Sequence, residues 1–248
     1  MTKLTNPAEI SVLRLGGKIL AQTLARVSKE IKPGTKASEI DAFAEKIIRK
    51  SGAEPAFKGY QGFPATLCVS VNSEVVHGIP GHKTFKNGDI VGIDCGVKFQ
   101  GFFTDAALTV GVGKISAKAK KIIEVTEKAF WQGAKTIRAG VATGDIGQAI
   151  QDLVEKNGFN VVRSLVGHGV GRHIHEDPQI PNYGKKGTGI VLETGSVIAV
   201  EPMVTEGSFE VSTAQDHWTI MTADGGLSAH YEHTLMVTEN GYEIITQL

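Results

Sequence analysis

Cysteine occurs only twice in these 248 residues, at Cys68 and Cys95. Two thiols in strand-like, apolar surroundings cannot build a disulfide framework, and they fit a reducing cytosol better than a structural bridge. Charge of neither sign is in excess: 26 Lys and Arg face 26 Asp and Glu. No global field therefore draws the chain to nucleic acid or anionic lipid. Four lysines gather near the start (Lys18, Lys29, Lys32, Lys36), a pattern read as a solvated helix surface. No apolar run approaches the length that crosses a bilayer, and the opening MTKLTNPAEI has no hydrophobic stretch of signal-peptide type. Low-complexity tracts are missing. What remains, 41% hydrophobic and 21% charged, is an ordinary cytoplasmic globule, expected as one domain over residues 1–248.

What is present is an order of elements that recurs. Asn6 can cap a helix with Pro7 at its first position and Glu9 three residues on, and apolar residues from Ile10 to Val27 keep helical spacing until Pro33-Gly34. A second helix is expected over Ser38–Lys50, closed by Gly52. Strand-like TLCVSVN, DIVGIDCG and GFFTDAALTVG follow. Helices are expected again over Ala117–Ile137 and Thr143–Lys156, then strands around Val161, Val197, Thr219 and Leu235. A shift of 106 lays Gly34 on Gly140 and Gly52 on Gly158; a shift of 107 lays IVGID on VIAVE, so Asp94 meets Glu201. A shift of 127 lays TDAALTV on YEHTLMV, so Asp105 meets Glu232. The growing shift implies about twenty extra residues in the second half, most simply between Glu206 and Gly226. Two copies do not make an array. They predict an α+β fold: a mostly antiparallel sheet, helices on one side, and a pseudo-twofold between halves near 1–114 and 115–248.

The matched acids carry the chemistry. Asp94 ends an apolar, strand-like run, and so does Glu201. A buried, ionised carboxylate needs a partner or a cation. One such acid is more often an ordinary paired residue; four at repeat-related places predict convergence, and convergent carboxylates repel unless cations neutralise them. His168 stands between glycines in LVGHGVGRHIHEDP, where the backbone can approach a ligand closely. Oxygen donors with a single imidazole suit a pair of divalent ions, Mn, Fe(II), Co or Zn, about 3.5–4 Å apart. His77 in EVVHGIPG and His175 before Glu176-Asp177-Pro178 flank these runs and are candidates for catalysis or for plain structural roles.

The motifs HGIP at 77–80, NGDIVGIDCG at 87–96, GHGVGRHIHEDPQIPNYG at 167–184, EPM at 201–203 and SAHYEHTLMVTENG at 228–241 resemble those of type I methionine aminopeptidases of the pita-bread metallopeptidase family. The similarity runs along nearly the whole chain. It implies a curved pita-bread sheet with outer helices, and removal of the initiator methionine from nascent proteins when the second residue is small. Asp94 and Asp105 would hold one ion, His168 and Glu201 the other, with Asp105 and Glu232 bridging. A bridging hydroxide would attack the scissile carbonyl. Glu201 would shuttle the proton, His175 would steady the carbonyl oxygen and His77 the leaving amide. Phe57, Tyr60, Phe63, Cys68, Ile174 and Trp218 would line the methionine pocket, though each could equally be core packing. The implied partner is the N-terminal Met of peptides and nascent chains, met at or near the ribosome by a monomer.

Four positions depart from the pattern: Phe63 where relatives often carry Tyr, Gln61 where some carry His, Gly96 where Thr or Ser is common, and His230 in place of a frequent Gln. None removes a ligand; they bear on metal affinity and pocket shape. Two other readings remain, a proline-directed aminopeptidase P or prolidase, and a non-catalytic member of the fold that binds protein or RNA, although such proteins typically lose metal ligands and this chain retains all five. Thr2 is small, so the chain fits its own rule: intact mass of protein made in cells should lack Met1, and a retained Met1 would contradict it.

Overall fold

In IVGIDCGVKF the residues Val91, Ile93, Cys95 and Val97 are apolar and buried, which leaves Gly92, Asp94 and Gly96 on the other face of the strand. This alternation orients the main sheet. The structure, a computed structural model, describes residues 1–247. Helices α1 (Pro7–Val27) and α2 (Ala37–Lys50) open the chain. Strands β1 (Glu54–Pro55), β2 (Leu67–Val71), β3 (Glu74–Val76), β4 (Ile90–Phe99) and β5 (Phe102–Gly111) follow. The second half repeats the order with α3 (Ala117–Ala134) and α4 (Thr143–Lys156). After them come β6 (Asn160–Val161), β7 (Gly167–Gly169), β8 (Glu176–Ile180), β9 (Val197–Val200) and β10 (Met203–Thr205), then β11 (Val211–Thr213), β12 (Ile220–Thr222), β13 (Ser228–His230), β14 (Glu232–Val237) and β15 (Tyr242–Ile244).

The main antiparallel sheet runs β1-β4-β5-β14-β9-β7-β8, with β2 also on β4 and β15 also on β14. Around the β5–β14 seam, β5 answers to β14 and β4 to β9, the pseudo-twofold that the acid-to-acid matches predicted. The helices pack on the face away from Asp94. Leu20, Leu24, Ile40 and Ile48 bury against Val91, Ile93 and Ala106 in the first half. In the second half, Ile122, Phe130, Ile146 and Ile150 bury against Ile198, Val200 and Leu235. Burial of apolar area drives this, about 25 cal/mol for each Å². The twenty extra residues are the β11–β12 hairpin, which adds to β3 in a separate three-stranded sheet. Among the described residues no helix is long and apolar enough to cross a membrane.

Two helix ends differ from expectation. The α1 helix gives way after Val27 to a 3₁₀ turn over Ser28–Glu30, and α3 ends at Ala134 rather than Ile137, tighter last turns being a common way to close a helix. Asn6 does cap, its Oδ1 accepting from the Ala8 N–H at 3.0 Å. Glu9 instead reaches across the chain to the Arg172 guanidinium, 2.6 Å away. The four early lysines are exposed. Cys68 and Cys95 pair with Asp94 and Leu67 respectively across β2 and β4, so their side chains point to opposite faces and both remain free thiols. At the N-terminus, Thr2 is buried and its hydroxyl donates to Glu176 Oε1 at 2.8 Å.

One contact joins the halves tightly. A Cβ built on Gly17 of α1 would lie 2.1 Å from the Ile245 carbonyl oxygen, so only glycine lets the helix sit on the last strand region. Gly17→Ala is expected to destabilise the protein by about 1–3 kcal/mol, read by urea unfolding; a variant as stable as the parent would show that this approach is not tight.

Candidate metal centre

Strand register brings the acids together. Ala107 on β5 pairs with Asp94 of β4 on one side and with Glu232 of β14 on the other. Asp105, two residues away on the same strand, shares their face. Ala107 is small and buried, which leaves the space between its two acidic neighbours open. Glu201 directly follows β9; one step past the Val200–His233 pair places it level with Glu232. His168 reaches the same place from β7, which pairs with β9 at Ala199. Its Nε2 lies 3.3 Å from Glu201 Oε1 and 4.0 Å from Asp105 Oδ2. All five predicted ligands therefore line one cleft of about 560 Å³.

The electrostatics of this cluster are those of a site built for cations. Asp105 and Glu232 are 3% and 2% exposed, and Asp94 keeps only a little surface in the cleft. Burial pushes Asp94 up to about 7, against a hydrogen bond with Asp105 that pulls it down. Burial, then Glu232 and Asp94, hold Asp105 well above the usual carboxylate range. Burial with Asp105 and Asp94 does so for Glu201, and burial with Glu201 and Asp94 for Glu232. Left to themselves these groups would resist full ionisation. Asp94 Oδ1, Asp105 Oδ1 and Glu232 Oε1 are buried without a hydrogen-bond partner among the described residues. Unpaired buried carboxylate oxygens are costly, and the residues present fit divalent cations. His168, Glu201 and Glu232 together offer ligand atoms within 4.8 Å of one another. Such oxygen-rich sets with imidazole suit first-row divalent ions.

Each histidine has its orientation set by a neighbour. His168 Nδ1 lies 2.9 Å from the Gly169 carbonyl oxygen; a carbonyl only accepts, so Nδ1 carries the proton and Nε2 faces the acids with a lone pair. Burial and the nearby His175 hold His168 at about 4, keeping it neutral. Tyr60 Oη lies 3.1 Å from His175 Nδ1 and accepts from Gln61 Nε2 at 3.2 Å. If the hydroxyl donates to Nδ1, the His175 proton sits on Nε2, free to donate into the cleft. His77 follows β3 with φ 58°, a left-handed backbone uncommon outside glycine, and burial followed by His175 lowers it to about 4.

Beside the acids lies an apolar recess. Phe57, Phe63, Cys68 and Ile174 are buried together, with Tyr60 and Trp218 packed against them. Phe63 and Trp218 meet edge to face, centroids 5.2 Å apart, and Trp218 comes from the turn of the inserted β11–β12 hairpin. A Cβ on Gly96 would stand 2.6 Å from Phe57 Cε1, so the absence of a side chain there is what admits the Phe57 ring. Ile174 packs behind the recess and does not line the cleft. Three supporting residues were not singled out as such from the sequence. Thr234 binds both the N–H and the C=O of Asp105, each at 2.8 Å, and Asn182 donates to the Glu201 carbonyl at 2.9 Å. Glu176 accepts from the Arg172 and His173 N–H groups. The alternation that places Asp105 could not announce Thr234 or Asn182, because both bind backbone across the fold.

A family model for metallopeptidase family M24 matches residues 11–239. The methionine aminopeptidase of Clostridium perfringens is 51% identical over 246 residues, covering 99% of both chains. The crystal structure of methionine aminopeptidase from Thermotoga maritima superposes with a TM-score of 0.98 at 47% identity, covering 100% of both chains. The prolidase from Pyrococcus furiosus shares the fold alone, with a TM-score of 0.79 at 23% identity, and this chain covers 65% of it. With a family match spanning the ligand-bearing strands of both halves and a full-length relative at this identity, the chain belongs to metallopeptidase family M24.

Proposed function

We propose that this protein is a methionyl aminopeptidase, removing an N-terminal methionine that precedes a small residue. The observation that carries the reading is the convergence of Asp94, Asp105, His168, Glu201 and Glu232, their buried oxygens unpaired, at the floor of a cleft whose wall is a soft aromatic recess. Asp94, Asp105 and Glu232 would hold one divalent ion and His168, Glu201, Asp105 and Glu232 a second, identity open among Co, Mn, Fe(II) and Zn. Bound there, such a pair polarises a carbonyl and makes water nucleophilic at neutral pH.

The chain's own groups supply the rest. Glu201, the acid closest to His168, accepts the proton of the attacking water and returns it to the leaving amine. His175, with its Nε2–H turned to the cleft, donates to the scissile carbonyl oxygen as charge develops. His77 steadies the amide on its leaving side. The substrate's free α-amine would lie beside Asp94, where the first ion would be held. Phe57, Tyr60, Phe63, Cys68 and Trp218 take the thioether, each sulfur–aromatic contact contributing about 0.3–1.5 kcal/mol. Ile174 supports that wall from behind. Because the ligands come from both halves, residues 1–248 act as one catalytic unit. Its place would be the cytoplasm, where nascent chains emerge, as a monomer.

Supplied with Mn, Co or Fe(II), the purified protein should release Met from Met-Gly peptides and neither Met from Met-Lys peptides nor the first residue of Xaa-Pro peptides; equal release from Met-Gly and Met-Lys would reject the specificity. Glu201→Ala should lower kcat by about 10²–10⁴-fold while leaving the melting temperature of metal-free protein no lower, since it removes one member of a repelling set.

Stability follows from the same groups. The folded value of Asp94, about 7, lies above its ordinary 3.8. Its stabilisation of metal-free protein is complete below the ordinary value and lost as pH rises through the folded one. Loaded protein does not depend on those protons. The gap in melting temperature between loaded and chelated protein should widen between about pH 4 and pH 8, by scanning fluorimetry; a gap indifferent to pH would remove this account.

A further inference from the structure

Beside the carboxylates, outside the set of residues that lines the cleft, stands one more nitrogen. His230 is 3% exposed and does not line the cleft, and its Nε2 finds no hydrogen-bond partner among the described residues. That nitrogen lies 3.6 Å from Glu232 Oε2 and 4.0 Å from Glu201 Oε2. A hydrogen bond to a carboxylate would close to about 2.7–3.2 Å. Donors that share an ion, each about 2.0–2.2 Å from it, stand about 3–4 Å apart. His168 shows that same spacing to its acids, 3.3 and 4.0 Å. Asp94, His230 and Glu232 form a second set whose ligand atoms lie within 4.8 Å of one another.

The imidazole is presented rather than loosely placed. The His230 N–H donates to Thr109 Oγ1 at 2.9 Å, and that hydroxyl donates back to the His230 carbonyl at 2.9 Å. On its other side β13 pairs with β10, His230 opposite Met203. A backbone held on both flanks keeps the ring beside the acids.

We propose that His230 is a sixth protein ligand of the centre, its Nε2 completing the Asp94–Glu232 side as His168 completes the Glu201 side. The inference rests on the dinuclear reading above. It gives each ion one imidazole, makes the site richer in nitrogen than its acids suggest, and leaves the cleft side of both ions open to substrate. Imidazole suits zinc and iron as well as the other later divalent ions, so the second nitrogen shifts preference away from manganese.

The test uses Co(II)-loaded full-length protein and proton NMR, which resolves the strongly shifted resonances of metal-bound imidazoles. Wild type should show two such imidazoles, His230→Gln one, and His168→Gln the other. Competition titration should find the weaker Co(II) bound at least about tenfold more weakly in His230→Gln, the lower end of what losing even a residue that only steadies a ligand costs a site. Two bound ions with a single shifted imidazole in wild type, which needs no variant to fold, overturn the proposal while leaving the dinuclear centre intact. Unchanged affinity in His230→Gln also overturns it. Wild type that binds no Co(II) overturns the dinuclear reading and this inference together.

Discussion

Repulsion among four carboxylates at one buried point is the constraint on which the rest of the structure depends. Asp94, Asp105, Glu201 and Glu232 each raise the proton affinity of another, and among the described residues none has a Lys or Arg partner within ion-pair distance. Such a cluster persists in a folded protein only when protons or cations neutralise it and a stiff scaffold prevents its members from turning away. The scaffold here is backbone pairing: Ala107 held between Asp94 and Glu232, and the Asp105 backbone held by Thr234. Ordered strands place ligands more reliably than loops do.

The division of labour between sheet faces follows from that need. One face carries Val, Ile and Leu against two helix pairs, which supplies the apolar burial that stabilises the domain halves. The other carries Gly92, Asp94 and Gly96, small or acidic: Asp94 lines the cleft, and Gly96 admits the Phe57 ring beside it. The apolar recess is built from elsewhere, the inserted hairpin with Trp218 and the loop with Phe57 and Phe63. This arrangement lets the pocket vary without disturbing the ligand strands.

Much of this was legible in the residues. Period-two alternation in IVGIDCGV and VIAVE signals strands with one apolar face, and the recurrence of acids at matched positions signals the pseudo-twofold. The place of the insertion was readable too, because the self-match changes its shift between two recognisable segments. Less was legible where a residue acts through a distant backbone. Glu9 reads as part of a helix start and instead pairs with Arg172. Tyr60 reads as pocket wall, yet its hydroxyl orients His175. His230 reads only as an unusual neighbour of Glu232.

Local pattern, then, determined the element types, the faces of the strands and the identity of the ligand-type residues, because side-chain periodicity and backbone preference are properties of neighbours in the chain. Only the tertiary structure decided that Asp94 and Glu232 flank the same alanine, that Gly96 makes room for Phe57, and that His230 Nε2 comes within 4.0 Å of both Glu232 and Glu201. Those outcomes depend on strand register and on the approach of segments a hundred residues apart. A shift of one residue in that register would turn every acid to the opposite face, and nothing in the local pattern alone specifies which pairing is made.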